Sequence, residues 1–241
     1  MKKGKTNMRK NKAVVLLSGG IDSSTLLAYA VKNYGRANVL TITADYGQKH
    51  RNEISAAINV SEYYGVRNIL VDMAAIFKYS DSALMFQSTT LIPEGSYKSQ
   101  ARGKHEPLVT YVPYRNGMFL SAASAIALSI FKQEQIDLYY GAHADDGGAA
   151  VYPDTSAKFV RHQARALWLG SGKKIKMVTP FVKKRKADLV KLGLELNAPY
   201  HLTWSCYKGQ KVHCGECSTC IDRQKAFAMN GVTDPVKYAK K

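Results

Sequence analysis

Two short stretches carry most of the residues able to do chemistry. WSCYKGQKVHCGECSTC, residues 204–220, holds every cysteine of the chain: Cys206, Cys214, Cys217 and Cys220, spaced C-x7-C-x2-C-x2-C. Thiolates are soft ligands, and four of them favour tetrahedral zinc. Short C-x2-C loops bring neighbouring thiolates onto one ion, and Gly215 permits the tight turn between Cys214 and Cys217. Four thiolates leave no open coordination position, so the expectation is one structural Zn²⁺ per chain. The alternatives are two disulfides or an iron–sulfur cluster. Disulfide staples are unnecessary in a chain long enough for a full core, and His213 is superfluous beside four thiolates.

The second stretch is LLSGGIDSST, residues 16–25. Ser18, Gly19 and Gly20 let backbone N–H groups approach an anion. Asp22, Ser23 and Ser24 then fall at a helix start, where free N–H groups and the macrodipole favour phosphate. The loop is neither a Walker A loop, since no GK[ST] follows, nor GxGxxG. A carboxylate among phosphates is repulsive unless a cation intervenes, which assigns Asp22 to Mg²⁺. The plainer reading is a glycine turn with Asp22 or a serine as helix cap.

These stretches need elements to hold them. Val14 to Leu17 is a short β-favouring run ended by glycines, followed by a helix to about Gly35. VLTITADYG repeats the pattern, with a helix over 49–64. A third strand lies at 67–73, an apolar helix near 117–132, a strand at 136–143, a helix at 155–169, an extended segment at 175–181 and a helix near 186–196. Strands alternating with helices imply a parallel sheet covered on both faces, an α/β Rossmann-like fold. Ligands of such folds sit at the C-terminal strand ends. That places SGGIDSS, ADYGQ and GAHADD along one rim. Residues 74–115 are irregular, and a stretch of that length usually covers a site. The expected organisation is a basic, disordered tail at 1–12, a main domain at 13–200 and a small four-cysteine region at 201–241 packed on it.

The 241 residues carry 35 Lys+Arg against 18 Asp+Glu, a net charge of +17. Such a surplus attracts polyanions, although it also fits solvated faces and a basic tail. The apolar run before Ser18 is too short for a secretory signal, and no run approaches a membrane span. A cytoplasmic protein without membrane contact is expected.

SGGxDSS after a hydrophobic strand resembles the PP-loop of the ATP pyrophosphatases, enzymes that split ATP between its α and β phosphates. DYGQKHRNE (45–53), VPYRN (112–116), GAHADDGGAAVYPD (141–154) and TWSCY…CGECSTCIDRQKAF narrow this to the 7-cyano-7-deazaguanine synthase family. The resemblance spans about 13–238. It implies an adenine-nucleotide α-hydrolase-like fold and conversion of 7-carboxy-7-deazaguanine, ammonia and two ATP to the nitrile, through adenylated acid and adenylated amide. Leu17 to Thr25 (Leu17, Ser18, Gly19, Gly20, Ile21, Asp22, Ser23, Ser24 and Thr25) and Asp45, Tyr46 and Gly47 are then expected at ATP. Arg115 is expected at the substrate carboxylate or α-phosphate, together with Asn116. His143 is a proton relay for ammonia, with Asp145 beside it. Asp154 is expected to accept the two N–H donors of the deazaguanine edge. His50 and Glu53, one helical turn apart, pair with each other or meet ligand. Trp204 and Tyr207 pack around the metal or stack on a base. The family also implies a homodimer. Nucleic-acid contact is compatible with the charge but not required by it.

Two departures stand out. Thr155 occupies a place where family members often have cysteine, and the 141–154 loop differs in composition from the common bacterial form. A PP-loop enzyme adenylating another acceptor, such as tRNA, or stopping at the amide, is the principal alternative. A non-catalytic zinc-ribbon binding module would leave SGGIDSS and Arg115 without purpose.

Overall fold

The computed structural model describes residues 11–100, 106–132, 134–147, 152–209 and 211–239. Of the expected tail, residues 1–10 lie outside the described residues. Asn11 and Lys12 are part of the fold: Lys12 opens the first strand, and its ammonium donates to Asn38 Oδ1 at 2.9 Å.

Five parallel strands form one sheet: β1 (Lys12–Leu16), β2 (Val39–Asp45), β3 (Arg67–Asp72), β4 (Ile136–Tyr139) and β5 (Ile175–Val178). Their spatial order is β3-β2-β1-β4-β5. Among the described residues the helices are α1 (Ile21–Tyr34), α2 (Asn52–Tyr63), α3 (Ala74–Phe77), α4 (Tyr97–Gln100), α5 (Arg115–Phe131), α6 (Ala144–Gly147), α7 (Ala157–Gly170), α8 (Lys186–Glu195) and α9 (Ser218–Ala228).

The two-residue period of β1 sorts its side chains to opposite faces. Ala13, Val15 and Leu17 pack with Leu26 and Leu27 of α1, Val60 of α2 and Leu189 of α8. Val14 joins its strand partners Leu40 and Leu138, with Leu120 of α5 and Val160 of α7. Both faces of the sheet are therefore covered, which explains why β1 reads as a continuous apolar run.

Between β1 and β4 the strand order reverses direction. A reversal of this kind splays apart the loops that leave neighbouring strands and opens a crevice at their C-terminal ends. The glycine loop leaves β1 and residues 140–142 leave β4, so the crevice lies between them.

Several elements differ in extent from expectation. β4 ends at Tyr139, where residues 140–142 turn into the cavity wall, and β5 ends at Val178, where the chain turns at 179–184 and Phe181 enters the core. Short helices α3 and α4 interrupt 74–115, and α6 forms within GAHADDGG. Helix α9 was not expected at all. Its metal-ligand spacing and polar composition mask a short apolar face, Ala226 and Phe227, which packs with Ile21, Val190 and Tyr200. That contact fixes the C-terminal region against α1 and α8.

Candidate active site

The glycine loop is built around two close approaches. Gly19 has φ +80°, and a Cβ there would lie 2.4 Å from the Glu53 carbonyl oxygen and 2.7 Å from the Ala57 nitrogen. The α2 backbone thus sets the loop's height above the sheet. The Trp204 N–H donates to the Gly19 carbonyl at 2.9 Å, tying the loop to the C-terminal region. Ser23 Oγ accepts from the Ser18 N–H at 3.1 Å and lies 3.1 Å from Ser18 Oγ. No side chain caps α1. Its first intrahelical bond runs from the Ser24 N–H to the Gly20 carbonyl, which leaves the preceding N–H groups available to an anion.

Above this helix start stands a charge cluster. Asp22 Oδ2 is 3.4 Å from Lys186 Nζ and 3.4 Å from His143 Nε2. Burial alone would raise the Asp22 carboxyl, but the Lys186 ammonium and His143 outweigh it and hold the group well below the ordinary carboxylate range. Asp22 Oδ1 has no hydrogen-bond partner among the described residues. One oxygen is thus held and the other is buried without a partner, as suits a carboxylate that contributes one ligand to a divalent cation.

Loop and cluster form one end of a cavity of about 240 Å³. The other end is aromatic, walled by Tyr46, Tyr97, Phe119, Tyr152 and Tyr207 around Arg115. Arg115 lies over Tyr46 (5.0 Å to the ring centroid) and Phe119 (5.9 Å), and its Nη1 donates to Tyr46 Oη at 3.1 Å. Burial would lower its pKa, yet the neighbouring Tyr46, Tyr207 and Glu53 raise it overall, so the guanidinium stays charged. Its Nε is buried without a protein partner among the described residues.

Arg115 owes its place to the VPYRN sequence and the glycine after it. Tyr114 adopts a left-handed conformation, φ 54°, immediately before α5. Its ring folds over Gly117, where a Cβ would lie 2.5 Å from Tyr114 Cζ. The chain therefore turns sharply and delivers Arg115 as the first residue of the helix. Asp154 Oδ2 accepts the Asn116 N–H at 2.9 Å and secures that first turn.

The expected site residues distribute unevenly. Leu17, Ser18, Gly20, Ile21, Asp22, Ser23, Tyr46, Arg115 and Asn116 all line the cavity. Gly19 shapes the loop from behind. Thr25 faces the core, 2.7 Å from Tyr200 Oη, and Ser24 is fully buried. Asp45 accepts the Gly47 N–H and pairs with Arg51, so the β2 turn is braced by its own side chains. His143 reaches the site through Asp22. Asp145 accepts the Lys186 N–H at 2.8 Å and thereby caps α8. Asp154 caps α5 and is not part of the cavity wall; the neighbouring Tyr152 and Thr155 are. The ring nitrogens of His50 have no hydrogen-bond partner among the described residues, so His50 and Glu53 are not hydrogen-bonded to each other.

Sequence reasoning missed Lys186. It closes a run of four basic residues whose other members are exposed, and only the loop from β5 to α8 turns it inward. Trp204 and Tyr207 pack on the cysteines, as one of the two expectations had it, and also line the cavity.

The four cysteines are buried, and their sulfurs lie within 4.8 Å of one another. A tetrahedral ion with Zn–S bonds of about 2.3 Å separates its sulfurs by roughly 3.8 Å, so the donor set fits one metal ion with small adjustment. Backbone N–H groups of Glu216 and Cys217 donate to Cys214 Sγ at 3.4 and 3.3 Å. His213 is not a ligand. Its Nε2 accepts the Ser205 N–H at 3.1 Å, and its ring packs on Trp204 at 4.3 Å. Burial, aided by the Arg223 charge, pushes its pKa down to about 4, so it stays neutral and an acceptor.

Residues 12–231 match the family of the queuosine biosynthesis protein QueC. Among curated relatives, the 7-cyano-7-deazaguanine synthase of Thermoplasma volcanium is 43% identical, covering 95% of this chain and 91% of its own. That of Caldicellulosiruptor saccharolyticus is 41% identical over 94% and 95%. That of Archaeoglobus fulgidus is 40% identical over 93% and 89%. Among solved structures, the NMN synthetase of Francisella tularensis has a similar fold, with a TM-score of 0.50 at 14% identity, covering 92% of this chain and 78% of that one.

Proposed function

The chain belongs to the QueC family of queuosine biosynthesis proteins, and from that premise we propose that it is a ligase converting 7-carboxy-7-deazaguanine and ammonia to 7-cyano-7-deazaguanine with release of AMP and pyrophosphate. The observation that carries this reading is the two-ended cavity: an anion-binding helix start with Asp22 and Lys186 at one end, and an aromatic pocket around a charged Arg115 at the other.

A carboxylate is a poor electrophile. Attack of its oxygen on the α-phosphorus of ATP makes that oxygen a leaving group, and ammonia then gives the amide. A second adenylation, on the amide oxygen, lets AMP depart and leaves the nitrile. Each adenylation brings an oxygen nucleophile through the negative charge of the triphosphate. The chain's part is to neutralise that charge and hold the reactants in line. The first-turn N–H groups of α1 and the hydroxyls of Ser18 and Ser23 receive the pyrophosphate. Lys186 adds a fixed cation beside them, and Asp22 Oδ1 holds Mg²⁺, which supplies further charge neutralisation when bound. The turn at Asp45 to Gly47 flanks the nucleoside. Arg115 orients the acceptor carboxylate, since a guanidinium holds an oxyanion through paired bonds. Asn116 lines the acceptor side beside it. Asp154 acts by fixing the first turn of α5. His143 buttresses Asp22, through which it would relay a proton from the attacking ammonia, and Asp145 holds the start of α8. The four cysteines hold one structural Zn²⁺. We further assign the chain to the cytoplasm and to a homodimer, on family grounds; no helix among the described residues is long and apolar enough to cross a membrane.

The test is a product assay with ATP, magnesium, ammonium and 7-carboxy-7-deazaguanine. AMP and pyrophosphate should appear only when the acid is present, with two AMP per nitrile and the amide accumulating when ATP is limiting. ADP and phosphate would overturn the assignment. One AMP and a stable amide would retain the mechanism with a different end product.

A further inference from the structure

Two acidic residues line the cavity, Asp22 and Glu53. Asp22 is engaged by Lys186 and His143 at the phosphate end. The other acids nearby lie outside the cavity wall: Asp45 is held by the Gly47 N–H and Arg51, Asp145 by the Lys186 N–H, and Asp154 by the Asn116 N–H through Oδ2, its Oδ1 buried without a partner among the described residues. Glu53 differs. Its carboxyl makes no hydrogen bond or ion pair with the described residues, although it stands in the wall of the cavity.

Glu53 stands between the two ends: its main-chain oxygen lies under Gly19 of the glycine loop, while its side chain lines the same cavity as Arg115. It feels the charge of Arg115 and His50, and Tyr46 in turn feels Glu53. Burial raises its pKa, with His50 and Arg115 opposing. A desolvated carboxylate without donors gains strongly from any ligand that brings them.

The acceptor brings two. On the functional reading above, on which this inference rests, it is a flat bicycle with a carboxylate on the five-membered ring. The six-membered ring carries adjacent N–H donors, the ring N1–H and the 2-amino group. With the acid on Arg115 and the ring between the aromatic walls, the donor edge requires a carboxylate of its own. We propose that Glu53 receives the N1–H and 2-amino donors of the acceptor and is the residue that selects a 2-amino-6-oxo ring. Two parallel charge-assisted bonds would then define both affinity and orientation. A site built to satisfy donors rejects analogues that lack them far more strongly than a purely apolar slot does.

The test compares wild type, Glu53→Gln and Glu53→Asp by AMP release with three acceptors: 7-carboxy-7-deazaguanine, its analogue without the 2-amino group, and its 6-amino analogue, which presents an acceptor at N1. Wild type should prefer the first. Glu53→Gln should raise the acceptor KM by roughly 10- to 100-fold, leave the KM for ATP within a few-fold, and compress the preference over the 2-desamino analogue. Glu53→Asp should restore part of that preference, which a merely structural residue would not do. Metal content and melting temperature check that the variants are folded. Unchanged discrimination in Glu53→Gln, with wild type active, overturns this assignment alone. A raised KM for ATP with an unchanged acceptor KM overturns it by moving Glu53 to the phosphate end. Wild-type chain that releases no AMP with the acid overturns the functional reading and this assignment together.

Discussion

The site depends on single atoms held in different states. Asp22 has one oxygen shared by Lys186 and His143 and one open. Asp22→Asn should abolish turnover while leaving metal content and fold intact, because it removes a cation ligand and no core contact. It should also change the acid limb of stability. The carboxyl is depressed below its ordinary value of 3.8, so its contribution is fully present above about pH 4 and is lost as the pH falls. Denaturation titrations from pH 7 downward should show a shallower loss in Asp22→Asn than in wild type; equal slopes would mean that the Asp22–Lys186–His143 cluster adds nothing to stability. The sequence disclosed Asp22 because it sits inside a recognisable loop. It did not disclose Lys186, since a lysine closing a run of surface lysines carries no local sign of pointing inward.

At the scale of elements, most of the fold was legible. Alternating β-favouring runs and amphipathic segments gave the parallel sheet, and the reversal at β1 and β4 explains why SGGIDSS and the segment after β4 meet. Strand ends and α9 were not legible. A strand's last residues are decided by where the neighbouring loop turns, as at Tyr140 to Ala142. The apolar face of α9 is only two residues wide and becomes a helix face by docking on Ile21 and Val190. The same tertiary dependence governs the glycine loop. Gly19→Ala places a Cβ against the Glu53 carbonyl at a left-handed φ. It should cost on the order of 1–3 kcal/mol and lift the loop off α2. Loss of ATP binding with native-like helicity is the expected outcome, measured by calorimetry and circular dichroism. Wild-type ATP affinity would show that the loop's height is set elsewhere.

For the molecule as a whole, the C-terminal region is a wall of the cavity and also carries a four-cysteine cluster able to hold a metal ion. Trp204 binds the glycine loop through Gly19, Tyr207 lies beside Arg115, and Gly95 donates to Glu216 within the cysteine loops. Arg223, fully buried, joins Asp234 to Thr203 and the Tyr200 carbonyl and clamps the cysteine segment to the sheet domain. Removing the metal with a chelator should therefore lower the melting temperature and the affinity for both substrates in the same titration, with zinc restoring all three. Loss of thermal stability with unchanged substrate affinity would confine the metal's influence to the C-terminal region.

With a metal bound at the cysteines, that shared wall would make metal and substrate mutual ligands in the thermodynamic sense. If an occupied cysteine cluster tightens the acceptor pocket, an occupied pocket must tighten the cluster by the same factor. A cell short of zinc would then lose this activity first in molecules idle for want of substrate, while working molecules kept their ion. Metal scarcity would act as a throttle set by metabolic demand, with no regulator other than the contacts of Trp204 and Tyr207.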